Sequence, residues 1–168
     1  MSPRRSPRAN REDRTTDARA ALAAATALLA RRDFPSAELH GKLRAKAFDE
    51  NTAAAAVADL ASRGIVNDER YAQNFVAYSA GRGQGPLRIA GELRRRGLGA
   101  VLVDAAVASG PDWTVLARRV CHARFGPQPP ASWAQKARQA RFLQYRGFSS
   151  DHIRSAIGAD PDTGFAES

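Results

Sequence analysis

One segment occurs three times at a constant spacing of fifty residues, and that recurrence limits the fold more than any other property of the chain. In its clearest copy, residues 85–98 read Gly-Pro-Leu-Arg-Ile-Ala-Gly-Glu-Leu-Arg-Arg-Arg-Gly-Leu. Pro86 suits the first turn of a helix, where its missing N–H has no partner to lose. Ile89 and Leu93 share one face four residues apart. Gly97 followed by Leu98 has the form of a helix stop, with glycine in left-handed backbone and the next apolar residue packing back. Residues 36–48 and 136–148 repeat the plan. Leu43, Leu93 and Leu143 align, as do Lys46, Arg96 and Arg146, and then Phe48, Leu98 and Phe148. Past the turn, Asp49, Gly99 and Ser149 share a position that suits an N-cap. Ala53, Val103 and Ile153, then Val57, Val107 and Ile157, mark the inward face of the helix that follows. Two positions depart from the pattern: Ala47 replaces the turn glycine, and Gln139 stands where the other copies have Leu39 and Ile89. The third copy is therefore expected to lean on Ala140 and Leu143.

Between the copies the chain also reads as helix, and no run alternates β-branched with polar residues. The expected fold is all-α: three tandem three-helix repeats forming an elongated, curved array, because one triplet is too small to bury its own apolar faces. The expected boundaries are a disordered basic tail over 1–16, repeats over 17–66, 67–110 and 111–158, and a frayed tail over 159–168. The first helix is placed over 17–32, with Leu22, Ala25 and Leu29 on one face. Ser36 is expected to cap the second helix, and Gly64-Ile65 to end the third, which starts at Glu50. Asn67 or Asp68 caps the fourth, whose Tyr71, Phe75 and Tyr78 have core spacing. Gly81, Gly83 and Gly85 read as a flexible connector rather than a phosphate cradle, since no strand precedes them and no Lys-Ser/Thr follows. Trp113, Leu116 and Val120 face inward on the seventh helix. Ser132 caps the eighth, which begins one turn earlier than its counterparts.

Charge bounds the partners. A net charge of +9 and a pI near 10.9 point to nucleic acid, an acidic protein surface or an anionic membrane. A GC-rich coding bias accounts for arginine over the three lysines, but not for the excess of basic over acidic residues. No apolar run approaches the roughly 18 residues of a membrane span. No signal-type apolar segment follows the arginine-rich start, and the lone Cys121 rules out an internal disulfide, so a reducing cytosol is expected.

No catalytic group assembles in the sequence. His40, His122 and His152 lie in different repeats without acidic neighbours at metal-ligand spacing, and Cys121 and His122 point different ways on one helix. The expectation is a non-enzyme with no cofactor and no metal. The basic residues are better ordered. Lys42, Lys46, Arg88, Arg94, Arg95, Arg96, Arg138, Arg141 and Arg146 belong to the three equivalent helices, with Arg118 and Arg119 on the seventh. Equivalent helices in an array tend to present one side, so these residues are expected to form a broken positive strip for phosphates or an acidic groove.

The chain resembles the bacterial RecX family, regulators of the recombinase RecA. The residues that carry the resemblance in the first repeat are Ala37-Glu38-Leu39 with Leu43. Asn67-Asp68-Glu69-Arg70-Tyr71-Ala72 with Phe75-Val76, and the whole of 85–98, carry it in the second. In the third they are Asp112-Trp113, Leu116-Ala117, Phe125-Gly126, Lys136 and residues 141–148. The resemblance implies a cytoplasmic all-α protein lodged in the groove of the RecA–DNA filament. There it would limit strand exchange and coupled ATP hydrolysis, in the setting of DNA repair, recombination and the SOS response. It also implies affinity for single- and double-stranded DNA through non-specific contacts. A monomer away from membranes is expected, since no coiled-coil seam is left over. The alternative from the residues alone is a stand-alone helical DNA-binding protein.

Overall fold

The computed structural model describes residues 16–158, and every regular element among them is an α-helix. In chain order these are α1 (Ala18–Leu29), α2 (Ser36–Ala45), α3 (Glu50–Ser62), α4 (Asp68–Gly81), α5 (Pro86–Arg95), α6 (Ala100–Ala108), α7 (Trp113–Phe125), α8 (Trp133–Arg146) and α9 (Ser150–Ile157). The two tails expected from the sequence lie outside the described residues, apart from Thr16.

The repeat pattern holds in the packing. Leu43, Leu93 and Leu143 are each 0% exposed. Phe48, Leu98 and Phe148 are buried after their turns. The helices after those turns start as expected: the Asp49 carboxylate accepts from the Thr52 N–H at 2.7 Å, and Gly99 caps α6 without a side chain. Ser149 forms a reciprocal capping box with His152 on α9. The stop at the end of α3 is a Schellman turn, with Ile65 N–H donating to Leu60 O and Gly64 N–H to Ala61 O, each at 2.9 Å.

The helices form two compact units. The first holds α1, α2, α3 and the opening of α4 through Tyr71, together with the turn Arg96–Leu98. Its core is built from Leu39, Leu43, Phe48, Ala53, Val57 and Leu60, with Ala21 and Ala25 from α1. On α1 Ala25 is buried as expected and Ala21 joins it on the central line, while Leu22 and Leu29, expected on the same face, are half-buried beside it. The small residues allow a close approach of α1 to α3. Pro35, not Ser36, occupies the N-cap of α2. Ser36 is the first helical residue, and its N–H donates to Asp68 Oδ1 at 2.7 Å. Asn67 caps α4, accepting from Arg70 N–H at 2.8 Å, which leaves Asp68 available to serve α2.

The second unit holds α4 from Ala72, α5 to Arg95, and α6 to α9. The aromatic row on α4 is not its core face. Ala72, Val76, Ser79 and Ala80 are buried, whereas Phe75 is half-buried and Tyr78 is 64% exposed. Small residues again win the inner face, because bulky rings would hold neighbouring helices apart. Trp113 is half-buried and donates from Nε1 to Val107 O at 3.1 Å, and Leu116, Ala117 and Cys121 make the inner face of α7. Gln139 is buried despite its polarity. Its Oε1 accepts from the Cys121 thiol at 3.4 Å, so the core acceptor is satisfied locally.

Residues 81–85 are more than a flexible link. Gly85 N–H donates to Arg146 O at 2.8 Å and Leu87 N–H to Gly147 O at 3.0 Å. The N-terminal donors of α5 thus serve the carbonyls left over at the end of α8.

Candidate interaction surface

The basic residues of the three equivalent helices divide between the two units. In the first unit, Lys42 extends over the Phe34 ring at 5.3 Å, and Lys46 is exposed. Arg96 is turned inward, with its side chain only 28% exposed. Its guanidinium donates to Tyr71 Oη at 2.7 Å and lies 3.6 Å from Glu38 Oε2, while Arg32 donates to the other Glu38 oxygen at 2.6 Å. Arg96 is therefore a fastening residue of the first unit.

Most of the strip expected from the sequence is also engaged in the second unit. Arg94 pairs with Asp104 at 2.6 Å and Arg95 with Glu92 at 2.8 Å. Arg88 covers the Tyr145 ring at 5.7 Å, Arg138 the Phe125 ring at 5.6 Å, and Arg118 reaches Ser155 Oγ at 3.4 Å. Arg141 is exposed. The run Arg94-Arg95-Arg96 thus splits between two carboxylate-paired side chains and one inward anchor.

What the second unit does bring together is a different set. An open groove of about 570 Å³ is lined by Arg82 from the end of α4, Arg119 and Arg124 from α7, and Arg146 and Phe142 from α8. No acidic residue lines it. None of the four guanidiniums pairs with a carboxylate among the described residues, in contrast to Arg32, Arg44, Arg63, Arg94, Arg95 and Arg96. The loop that carries Arg82 is held down by Arg146, whose guanidinium donates to Arg82 O at 3.2 Å. Gly83, at φ +75°, packs so closely that a Cβ there would meet the Val120 side chain at 3.0 Å.

Aromatic rings accompany these cations. Arg82 donates to Tyr78 Oη at 3.1 Å and sits 5.6 Å from its ring. Arg146 lies 5.3 Å over Phe142, which meets Phe125 edge to face at 5.3 Å, with Arg124 on Phe125 at 5.5 Å. Of the groove residues, the sequence reading singled out Arg119 and Arg146 as binding residues. Arg82, Arg124 and Phe142 are not among the binding residues expected from the sequence. The available signal was Gly-Arg-Gly at 81–83, a cation fixed between two glycines in a connector.

Nothing in the described residues resembles a catalytic or metal centre. No group of three or more His, Cys, Asp or Glu side chains is placed to hold an ion among them. His152 is used in the α9 cap, and His40 Nε2 lies 3.0 Å from Glu50 Oε1 without hydrogen-bond geometry. Cys121 is buried, and desolvation raises its thiol pKa above the ordinary value. No single helix among the described residues is long and apolar enough to cross a membrane.

Two family models match the chain: "RecX, second three-helix domain" over residues 67–107 and "RecX, third three-helix domain" over residues 115–157. The regulatory protein RecX of Halorhodospira halophila is 41% identical over 81% of this chain and 85% of that protein. The chain belongs to the RecX family. Its relatives include the regulatory protein RecX of Acidithiobacillus ferrooxidans, 38% identical over 90% of the chain and 98% of that protein. The crystal structure of RecX from Lactobacillus salivarius shares the fold, with a TM-score of 0.75 at 21% identity, over 85% of this chain and 96% of that one. A second RecX crystal structure gives 0.71 at 20% identity, over 95% of this chain and 81% of that one. In RecX terms, Arg82 lies in the second three-helix domain, and Arg119, Arg124, Phe142 and Arg146 lie in the third.

Proposed function

We propose that this protein regulates RecA recombinase by binding in the groove of the RecA–DNA filament, limiting strand exchange and the ATP hydrolysis coupled to it. Membership of a family of regulatory proteins supports a regulatory role. The observation that carries the binding part is the carboxylate-free arginine groove of the second unit. Like charges gathered without counterions repel one another and lower stability, so such a cluster is best accounted for by an anionic partner. A filament offers phosphates and acidic side chains over a long path, and the exposed Lys46 and Arg141 would add contacts outside the groove. The protein acts in this reading without catalysis, without cofactor or metal, as a cytoplasmic monomer.

The test is a RecA strand-exchange and ATPase assay with the purified protein titrated in. Both rates fall with added protein if the proposal holds. Rates that stay level up to stoichiometric protein refute it. If the protein binds DNA but changes neither rate, the stand-alone DNA-binding reading takes its place.

A further inference from the structure

We infer that a smaller cavity of the second unit, separate from the arginine groove, is a site for a small organic carboxylate with an apolar body. The inference is independent of the RecA reading, and its test contains neither RecA nor nucleic acid. The cavity holds about 180 Å³ between α7, the connector 126–130, α8 and the end of α9. A cavity of about 150 Å³ accepts benzene, so a single-ring acid is of the right size.

Three observations select this chemistry, and the first is Gln139. The corresponding residues of the other repeats, Leu39 and Ile89, are both 0% exposed, whereas the third repeat buries a carboxamide, 7% exposed, in that core position. Its Oε1 accepts only from the Cys121 thiol, a weak donor, and its Nε2 hydrogens meet no acceptor among the described residues. A buried amide left without an acceptor costs stability that an aliphatic residue would not. The nitrogen is not sealed in as Glu38 Oε2 and His40 Nε2 are, and Gln139 lines the cavity. An acceptor on a ligand there supplies the missing partner. Second, Arg118 lines the same cavity and pairs with no carboxylate among the described residues; its guanidinium reaches only the Ser155 hydroxyl, at 3.4 Å. No Asp or Glu is among the described lining residues. Guanidinium, hydroxyl and amide can donate to one anion, and a carboxylate takes the guanidinium in two bonds.

Third, the facing wall is apolar, built from Pro127, Pro129 and Ile157. A hydrated inorganic ion gains nothing from such a wall, whereas an apolar body leaves water on reaching it. The prolines fix their own backbone, so this wall is set before any ligand arrives.

The probe is sodium benzoate, titrated into the ¹⁵N-labelled full chain at constant ionic strength and followed by amide NMR. The side-chain NH₂ of Gln139, assigned by its loss in Gln139→Leu, and the backbone amides of Cys121 and Ala156 should shift and saturate. The expected dissociation constant is on the order of 1 mM, the range for a ligand this small. Acetate lacks the apolar body and benzyl alcohol lacks the charge, so each should bind about tenfold more weakly or worse. Arg118→Gln should weaken benzoate about tenfold or more, the equivalent of one charge-assisted hydrogen bond. Gln139→Leu, which restores the residue type of the first repeat, should abolish the saturable shifts at Cys121 and Ala156 without lowering the unfolding midpoint. Arg119→Gln, the next residue on α7 but in the arginine groove, should leave benzoate binding within about twofold. The inference is overturned if benzoate gives no saturable shift, or if acetate or benzyl alcohol binds as well. It is equally overturned if Gln139→Leu or Arg118→Gln binds as the parent does, or if Arg119→Gln loses as much as Arg118→Gln. One last variant addresses the chain itself, since Asp160 and Asp162 follow Gly158, which lines the cavity. If Asp160→Asn/Asp162→Asn binds benzoate tenfold more tightly, the occupant is the chain's own acidic segment and the small-carboxylate reading fails.

Discussion

The turn glycines give the sharpest quantitative test of the packing. Gly147 has φ +92°, and a Cβ built on it would lie 2.7 Å from Arg88 N and 3.0 Å from Arg88 Cα. Those are backbone atoms at the start of α5 and cannot swing aside. An alanine there suffers left-handed strain of about 1–2 kcal/mol. It must also push α5 away, which stretches the bonds from Gly85 N–H to Arg146 O and from Leu87 N–H to Gly147 O, each worth about 1 kcal/mol. Gly147→Ala should therefore destabilise the second unit by about 2–4 kcal/mol. Ala47 has φ +69°, and is the one non-glycine residue with a left-handed φ among the described residues. Its replacement by glycine releases the same strain of about 1–2 kcal/mol against about 0.4–1 kcal/mol of added unfolded-chain entropy, a net gain of about 0.5–1 kcal/mol. Urea unfolding measures both. Tryptophan fluorescence follows the second unit, which contains Trp113 and Trp133, and far-UV circular dichroism follows the whole chain. A loss below about 0.5 kcal/mol for Gly147→Ala, the range of ordinary surface changes, would refute the docking argument.

Other changes test other parts of the fold. Leu43→Ala, Leu93→Ala and Leu143→Ala should each cost about 2–5 kcal/mol, and similar amounts, in urea unfolding, since all three sites are fully buried. Arg96→Met removes a charged hydrogen bond to Tyr71 and one of the two arginines paired with Glu38, and should cost about 1.5–3 kcal/mol, while Arg95→Met on the exposed side should change stability by less than about 0.5 kcal/mol. Cys121, buried with a raised thiol pKa, should resist iodoacetamide in the native protein at mildly alkaline pH and react fully in urea; mass spectrometry reads the adduct. The Thr52 N–H bond holds the Asp49 carboxyl below its ordinary value of 3.8, so its stabilising contribution is complete above that value and is lost as pH falls through the lowered one. Asp49→Asn keeps the cap but removes the titration, and should flatten that segment of the acid-unfolding curve.

Much of the fold was legible because its signals are local. Caps, turn glycines and the leucine at every fiftieth position depend on neighbours within a turn or two, and they hold except at α2, where Pro35 takes the N-cap expected of Ser36. The departure at Ala47 was visible but not its reason. Gly97 lies against Ala37, where a Cβ would come within 2.5 Å of the Ala37 Cβ, and Gly147 lies against Arg88, so each of these turns receives the start of a second helix. Glycine serves two needs at 97 and 147, positive φ and close approach, whereas at 47 an exposed alanine takes the positive φ of +69°. A periodic reading also placed Leu22 and Leu29 beside Ala25 on the inner face of α1 and an aromatic row on that of α4, where Ala21 and Ala25, and Ala72, Val76, Ser79 and Ala80, are the buried residues. Spacing shows which residues share a face, but interhelical distance decides which size fits it.

The interaction surface was less legible, for a reason set by electrostatics. Charge composition counts every arginine alike, whereas a charge is available to a partner only if the fold leaves it uncompensated. Arg94, Arg95 and Arg96 form the densest basic run in the repeated helices, yet Asp104, Glu92 and Glu38 draw off all three. Asp104 lies ten residues from its partner and Glu38 lies in another repeat, beyond any local pattern. The groove reverses the situation. Arg82, Arg119, Arg124 and Arg146 are spread along the sequence, and only Arg119 and Arg146 belong to the strip expected from it. Their field adds because α4, α7 and α8 gather them with no carboxylate among the lining residues. At a Debye length of about 8 Å under physiological salt, charges around one groove act together, while charges spaced along an extended strip are screened from one another. The sparse arginines, not the run, are therefore the cluster that the fold leaves without carboxylate partners among the described residues.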